Sequence, residues 1–281
     1  MKKIIALMLV LSLSAFSLVA CGKKDYTLAV AIDSSVDENN KVSNYVVALV
    51  LDKNDKIEAV KLDCFETTIT AADGAIANVE SVTSKVALGD NYKMTSGNFA
   101  QQTKAFEDAI IGKTAEEVAN LDLSLVTGCT MPYTPLSFKS VIAKAFASSN
   151  KTEFTAKKFT LSIGGTMDVK DGKASITLAG VISNEGKIIA SNLDTAERTF
   201  TLSGETITAD TFSGSKVELG ENYKMTSGTF AQQADAFESY VVGKTSDEIK
   251  NLDFTLITGC TMPYSVYSFQ AVLLAALANA Q

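Results

Sequence analysis

A long internal repeat is the feature that most constrains how this 281-residue chain can fold. Residues 84–133 recur as residues 215–264 without a gap, and 34 of the 50 aligned positions are identical. The same offset of 131 continues upstream to residue 56 and downstream to residue 141. A period this long is typical of a duplicated domain and not of a short solenoid unit. The sequence therefore predicts two tandem copies of one domain.

The order of predicted elements is the same in each half. Strands are predicted at 26–32, 45–51 and 57–65, and again at 159–163, 174–182 and from 188 onward. Helices are predicted at 99–110, from 114 and at 136–146, and again at 230–241, from 245 and at 267–277. Short strands at 121–126 and 252–257 are expected to precede the last helices. Strands followed by helices predict an α+β class, with helices packed on a mostly antiparallel sheet.

The domain bounds follow from the repeat and from composition. We place the first domain at residues 25–149 and the second at residues 155–281. The polar stretch at 148–153 between them is typical of a short linker.

The first 24 residues predict the compartment. Lys2 and Lys3 precede an apolar run at 4–20, which is followed by Cys21 and Gly22. Small residues before this cysteine look like a bacterial lipobox, in which the chain is cleaved before the cysteine and the cysteine is lipidated. Residues 1–20 are then a signal peptide and 21–24 a lipidated tether, which holds the protein on the extracytoplasmic face of the cell membrane. A plain signal peptide or an uncleaved anchor is the alternative.

Composition excludes several classes of function. The chain has no histidine, which rules out histidine-based triads, histidine–metal sites and histidine acid–base catalysis. Its net charge is −7 with no basic run, so no nucleic-acid partner is expected. Cys64, Cys129 and Cys260 without histidine make no ordinary zinc site, and no metal is predicted. Without paired carboxylates at a convincing spacing, an electron carrier or a binding protein is favoured over a stand-alone enzyme.

The candidate site is the four-residue motif Thr-Gly-Cys-Thr, found at 127–130 and again at 258–261. Its glycine permits a turn that a side chain would obstruct, and its threonines offer hydroxyls and backbone donors to a phosphate near a helix start. A well-packed corner kept in both copies is the other interpretation, and four residues alone do not decide. The motif cysteines could approach each other across a pseudo-twofold axis, which leaves a disulfide or two thiols open.

Together with Lys56-Ile57 after a strand and Gly112-Lys113-Thr114 at a helix junction, this motif resembles the FMN-binding domain of bacterial extracytoplasmic flavoproteins. The core motif of that family is Ser/Thr-Gly-Ala-Thr, and its last threonine is joined to FMN through a phosphoester by a separate flavin transferase. The resemblance implies a flavin-carrying protein that exchanges electrons with membrane redox proteins. Carried over residue by residue, it makes Thr130 and Thr261 the FMN acceptors. The other cofactor-binding positions it implies are Thr127, Thr258, Gly128, Gly259, Cys129 and Cys260.

The sequence departs from that family at the motif itself. Cys129 and Cys260 stand in place of alanine, and Met-Pro-Tyr follows where hydroxyl residues are usual. Asp122 and Asp253 lie five positions before the motif, farther than the family usually places an acidic residue. A flavin-free surface lipoprotein that binds a small molecule or an envelope partner is therefore the second hypothesis.

Overall fold

Antiparallel sheets with helices packed on them make up the described part of the chain. The computed structural model describes residues 22–78, 83–95, 97–129, 134–225, 227–260 and 265–280. The first half contains β1 (Lys24–Val36), β2 (Lys41–Leu51), β3 (Ile57–Ala72), β4 (Ala75–Asn78), β5 (Thr83–Ser84), α1 (Lys85–Leu88), α2 (Phe99–Ile110), α3 (Ala115–Ala119) and α4 (Thr134–Ala147). The second half contains β6 (Lys151–Ala156), β7 (Thr160–Lys170), β8 (Lys173–Asn184), β9 (Lys187–Ser203), β10 (Thr206–Ser215), α5 (Lys216–Leu219), β11 (Lys224–Met225), β12 (Gly228–Thr229), α6 (Phe230–Val241), α7 (Ser246–Lys250) and α8 (Ser265–Ala278). The predicted α+β class with mostly antiparallel sheet is confirmed.

The strands form two main sheets that belong largely to different halves. The first has the order β4-β3-β2-β1-β6, with β5 also beside β3, and the second has the order β10-β9-β8-β7. The neighbouring strands in both sheets run antiparallel. β6 follows α4 in sequence but pairs with β1. The last strand of the first sheet is therefore added after the helices of the first half.

The two sheets pack face to face, and helices cover both outer faces. In β1, Leu28 and Val30 point into the cluster between the sheets, whereas Ala29 and Ala31 point into the cluster under the helices. Side chains of a strand alternate between the two faces, so both faces of β1 are buried. This explains why the predicted strands have nearly continuous apolar sequences, a pattern typical of sheets covered on both sides.

Phenylalanines fill the space between each sheet and its helices. In the first half the rings of Phe106 and Phe138 lie 6.1 Å apart, and in the second half those of Phe237 and Phe269 lie 5.4 Å apart. The predicted bounds of α2 and α6 are confirmed, as are the capping boxes at Thr114 and Thr245.

Two sequence predictions of local structure are wrong. The short strands expected at 121–126 and 252–257 are instead single 3-10 turns at Leu123–Leu125 and Phe254–Leu256. Asp122 accepts hydrogen bonds from the backbone N–H and the hydroxyl of Ser124, which stabilise a turn in place of an extended segment. Residues 151–153 of the predicted linker lie in β6, where their backbone pairs with β1.

Buried glutamates fasten the helices to the sheets. Glu107 in α2 accepts a hydrogen bond of 2.8 Å from the backbone N–H of Leu62 in β3. Glu238 in α6 accepts the matching bond of 2.7 Å from Leu193 in β9. Each of these bonds joins a helix to the sheet that it covers. The glutamate thus adds a hydrogen bond to the apolar packing between helix and sheet.

Buried aspartates do the same for the short helices. Asp63 accepts hydrogen bonds from the backbone of Val86 and from the hydroxyl of Ser84 at the start of α1. Asp194 accepts one from the backbone of Val217 in α5.

Burial controls the protonation of these four carboxyl groups. It raises the pKa of Asp63 to about 6, of Glu107 to about 7, of Asp194 to about 7 and of Glu238 to about 8, although hydrogen bonds to each group act in the opposite direction. In the unfolded chain the same groups ionise near about 4. At pH values between the unfolded and the folded pKa of each group, the folded state therefore keeps a proton that the unfolded state has released.

We expect the contribution of these four groups to the free energy of unfolding to be greatest below about pH 4 and to fall as the pH rises to about 8, because the raised pKa values favour the protonated folded state. Glu238→Gln resembles the neutral acid and keeps an acceptor for Leu193. It should reduce this loss by an amount on the order of a few kcal/mol. Urea unfolding across the pH range measures the effect, with the exposed Asp247→Asn as control. An unchanged pH dependence in Glu238→Gln would contradict the assignment.

We expect Gly164→Ala to be strongly destabilising. An added Cβ at this position in β7 would lie 2.1 Å from the backbone oxygen of Val272 and 2.6 Å from the backbone nitrogen of Ala276, so α8 would have to move off the sheet. Overpacking against backbone atoms costs about 1–3 kcal/mol or more. Thermal unfolding checks this, with Thr166→Ala in the same strand as control. Equal melting temperatures for the two variants would show that the helix can shift without cost.

Candidate functional site

The first copy of the motif forms an exposed turn after the 3-10 turn at Leu123–Leu125. Val126 is buried, whereas Thr127 and Gly128 are exposed. The backbone N–H of Cys129 donates to the carbonyl of Val126 over 3.1 Å, which closes the turn. Gly128 has φ +87°, a conformation that L side chains rarely adopt. The prediction that this turn needs a glycine is therefore confirmed.

The second copy has the same geometry. Gly259 has φ +89°, and the N–H of Cys260 donates to the carbonyl of Ile257 over 3.3 Å. Thr258 is exposed, as Thr127 is. A Cβ on Gly259 would lie 3.3 Å from that of Ala236 in α6, just as one on Gly128 would lie 3.4 Å from that of Ala105 in α2. Both turns thus sit against the long helix of their own half.

Three residues named by the sequence analysis lie outside the described residues. Thr130 and Thr261, the two acceptors implied by the resemblance, directly follow Cys129 and Cys260. Cys21, the predicted lipidation site, precedes the first described residue.

The motif cysteines are thiols that pack in separate places. Cys129 contacts the core cluster under the helices of the first half, and Cys260 contacts the corresponding cluster of the second half. The two sheets lie between these clusters, so a disulfide between Cys129 and Cys260 does not form. Of the two outcomes that the sequence left open, the structure supports the thiols.

An exposed leucine precedes each motif. Leu125 is 75% exposed and Leu256 is 62% exposed, which is unusual for side chains of this size in a chain with extensive cores. The neighbouring Asp122 and Asp253 bond to Ser124 and Thr255, and these hydrogen bonds hold the pKa of each carboxyl below its ordinary value. Each turn therefore presents an apolar side chain beside an ionised carboxylate.

The sequence analysis missed a buried ion network that occurs in each half. Glu66 forms ion pairs with Lys41 and Lys85, and Lys85 also lies 4.8 Å above the ring centre of Tyr92. Burial opposes ionisation of Glu66, but the two lysines hold its pKa below the ordinary value. The repeat carried a signal for this network, because Glu66, Lys85 and Tyr92 recur 131 positions later.

In the second half Glu197 pairs with Lys173 and Lys216, and Lys216 lies 4.7 Å above the ring centre of Tyr223. Tyr92 and Tyr223 thus each lie beneath the lysine that pairs with the glutamate of their half.

A cavity of about 300 Å³ lies away from both motif turns. Its walls come from β3, β5, α1 and α2 of the first half and from β7 and Asn279, the residue after α8. None of residues 127–129 or 258–260 lines it, and none lines the neighbouring cavity against Gly165 and Met167. Thr103 and Glu107, which the sequence analysis did not single out, do line it.

Among the residues that the structure describes, no helix has the length and apolar character needed to cross a membrane. The same residues contain no group of three or more acidic or cysteine side chains arranged to hold a metal ion. Comparison of the chain with known protein families, with curated proteins and with solved structures finds no match.

Proposed function

We propose that this chain is an extracytoplasmic lipoprotein, anchored to the cell membrane through Cys21, whose two FMN-binding-like domains carry flavin and transfer electrons. In this proposal a flavin transferase joins FMN through a phosphoester to Thr130 and to Thr261. Electrons then pass between the flavins and membrane redox proteins.

The duplication in this proposal is supported by the matching halves. From Ile57 onward, the helices and turns of the second half lie 131 positions after those of the first, and α2 and α6 have the same length. The matching hydrogen bonds of Glu107 and Glu238 and the two buried ion networks add side-chain contacts to this correspondence.

The observation that carries the flavin proposal is the pair of exposed glycine-centred turns. A modifying enzyme must reach its acceptor, and Thr127, Gly128, Thr258 and Gly259 are all exposed just before the acceptor positions. A residue with φ near +88° also lets backbone approach a phosphate closely, which suits a phosphoester next to the turn.

The surroundings of the turns suit an attached flavin. Leu125 and Leu256 offer apolar surface on which a flat ring could rest. When bound, the flavin supplies the electron-transfer chemistry, and the protein contributes attachment, orientation and control of solvent access. This division of roles fits a chain that contains no histidine.

Co-expression with a flavin transferase should yield a yellow protein heavier by two FMN groups. Thr130→Ala or Thr261→Ala should each remove one group, and the double variant should be colourless, because no acceptor hydroxyl remains. Intact mass and the visible spectrum measure both results. Ser149→Ala, which removes an exposed hydroxyl outside both turns, serves as control and should keep both groups. Flavin that remains on the double variant would contradict the acceptor assignment.

A flavin-free surface lipoprotein is the second candidate, and the position of the cavity favours it. The cavity lies apart from the motif turns and contains buried polar groups of its own. A colourless protein at its bare mass after co-expression would support this candidate over the first.

We expect Cys21→Ser to abolish the lipid mass at the N-terminus, because its thiol is the predicted lipid acceptor. The mass of the mature N-terminus measures this. Cys64→Ser leaves the proposed lipid acceptor intact and is the control, and its product should keep the lipid mass. A Cys21→Ser protein that still carries the lipid mass would contradict the assignment of Cys21.

A further inference from the structure

In the second half, a segment of the chain itself fills a groove beside Glu238. After α4, residues 150–152 enter this groove as the start of β6. The Thr152 hydroxyl lies 2.9 Å from the carbonyl of Ser191 and 3.3 Å from Oε2 of Glu238, and it receives a hydrogen bond of 3.0 Å from Asn192. The groove is therefore occupied by an extended polypeptide that carries a hydroxyl side chain.

The same segment is held by backbone pairing at a sheet edge. β6 runs antiparallel along β1, with Lys24 opposite Ala156 and Ala29 opposite Lys151. Backbone hydrogen bonds therefore hold the segment, and the Thr152 side chain reaches into the groove. This combination of strand addition with a side-chain pocket is a common mode of peptide recognition.

The strand pairings locate the matching position in the first half. Ala31 pairs with Val47 and Val47 with Leu62, just as Gly164 pairs with Ala179 and Ala179 with Leu193. Leu62 and Leu193 are equivalent because each donates to the buried glutamate of its half. By this register, Ser162 in β7 corresponds to Ala29 in β1.

The edge at Ser162 has no strand beside it in the described part of the chain, where β7 is the last strand of its sheet. The only backbone cap that the structure records there is a bond of 3.0 Å from the Asn279 side chain to the carbonyl of Ile163. An open edge with unpaired backbone groups is a template for an added strand.

The 300 Å³ cavity lies at this edge, and we call it the open groove. Ser162 and Asn279 line one side, and Lys61, Thr103, Lys104 and Glu107 line the other. Glu107 is the counterpart of Glu238 and is only 7% exposed. Thr103 is 1% exposed, and its hydroxyl has no hydrogen-bond partner. A buried hydroxyl without a partner is costly, so this site has unused capacity for a polar ligand.

The charge of the open groove indicates what kind of segment it takes. Lys61 and Lys104 stand where the second half has Asn192 and Asp235. Lys104 pairs with Asp108, but Lys61 forms no ion pair among the described residues. Asn192 donates to the carbonyl of Asn150 in the filled groove, and Asn150 lies on the same side of the strand as Thr152. An acidic residue in place of Asn150 would therefore be favoured beside Lys61.

We propose that the first half binds an extended acidic segment of a partner protein as an added strand along the outer edge of β7, with a Ser or Thr side chain in the open groove. The bound hydroxyl contacts Glu107 and Thr103, as Thr152 contacts Glu238 in the second half. This site is separate from the motif turns, so it does not depend on flavin.

The test uses the full chain and a fluorescein-labelled peptide, Ser-Asp-Lys-Thr-Glu-Phe, which copies residues 149–154 with Asp in place of Asn150. Fluorescence anisotropy should show saturable binding. We expect at least a tenfold loss of affinity when alternate peptide nitrogens are methylated, because strand addition needs their hydrogens, and a similar loss when the peptide Thr is replaced by Val.

Lys61→Asn combined with Lys104→Asp makes the rim of the open groove like its counterpart and should also weaken binding at least tenfold. The distant Lys53→Asn is the control and should have no effect. Amide hydrogen exchange should slow at 161–163 when the peptide binds.

Three results would overturn the proposal. The first is the absence of saturable binding up to about 1 mM peptide. The second is an affinity that N-methylation of the peptide does not reduce. The third is slower amide exchange at 24–29 in place of 161–163. The last would mean that the peptide displaces β6. Flavin content measured on the same samples distinguishes failure of this proposal from failure of flavin attachment.

Discussion

The packing of one sheet against the other is the contact on which the rest of this structure depends. The cluster between the sheets draws on β1, β2 and β3 from the first half and on β7, β8 and β9 from the second. Gly180 shows how close the sheets come, since an added Cβ would lie 2.7 Å from Val30. With one face of each sheet used in this way, the helices must cover the other, and the apolar strands are buried on both sides.

β6 makes this arrangement asymmetric. It belongs in sequence to the passage between the halves, yet it completes the first sheet and at the same time places Thr152 against Glu238 of the second half. One strand thus joins both halves through backbone and side-chain bonds. The edge of β7 has no such strand in the part of the chain described, so the two halves differ in whether their grooves are filled.

Local structure could be predicted from the sequence wherever local chemistry decides it. The bounds of α2 and α6 followed from apolar periodicity, and the capping boxes at Thr114 and Thr245 from residue types alone. Packing between the sheets could not be predicted, because an apolar run shows that a strand is buried but not what covers it. The polar stretch before Phe154 reads as a linker for the same reason, since its polar side chains find buried partners only in the folded protein. In the candidate site, the glycine turn was predictable from its motif, but the 3-10 turn before it was not, because it combines backbone hydrogen bonds with those that the Asp122 side chain accepts.

Differences between the two halves are themselves informative about the open groove. Six of its residues are the same as their counterparts 131 positions later, and these include Leu62, Asp63 and Glu107, which hold helix and strand together. Its changed residues face the groove, among them Lys61, and Thr103 where the second half has alanine. The unchanged residues hold the fold together, whereas the changed residues would contact the occupant. This pattern is expected where two grooves of similar structure bind different segments. The second groove holds a segment of the chain itself, and the first retains the same glutamate with a new hydroxyl and new positive charge. These properties favour the binding of a different strand in the first groove over a groove that stays empty.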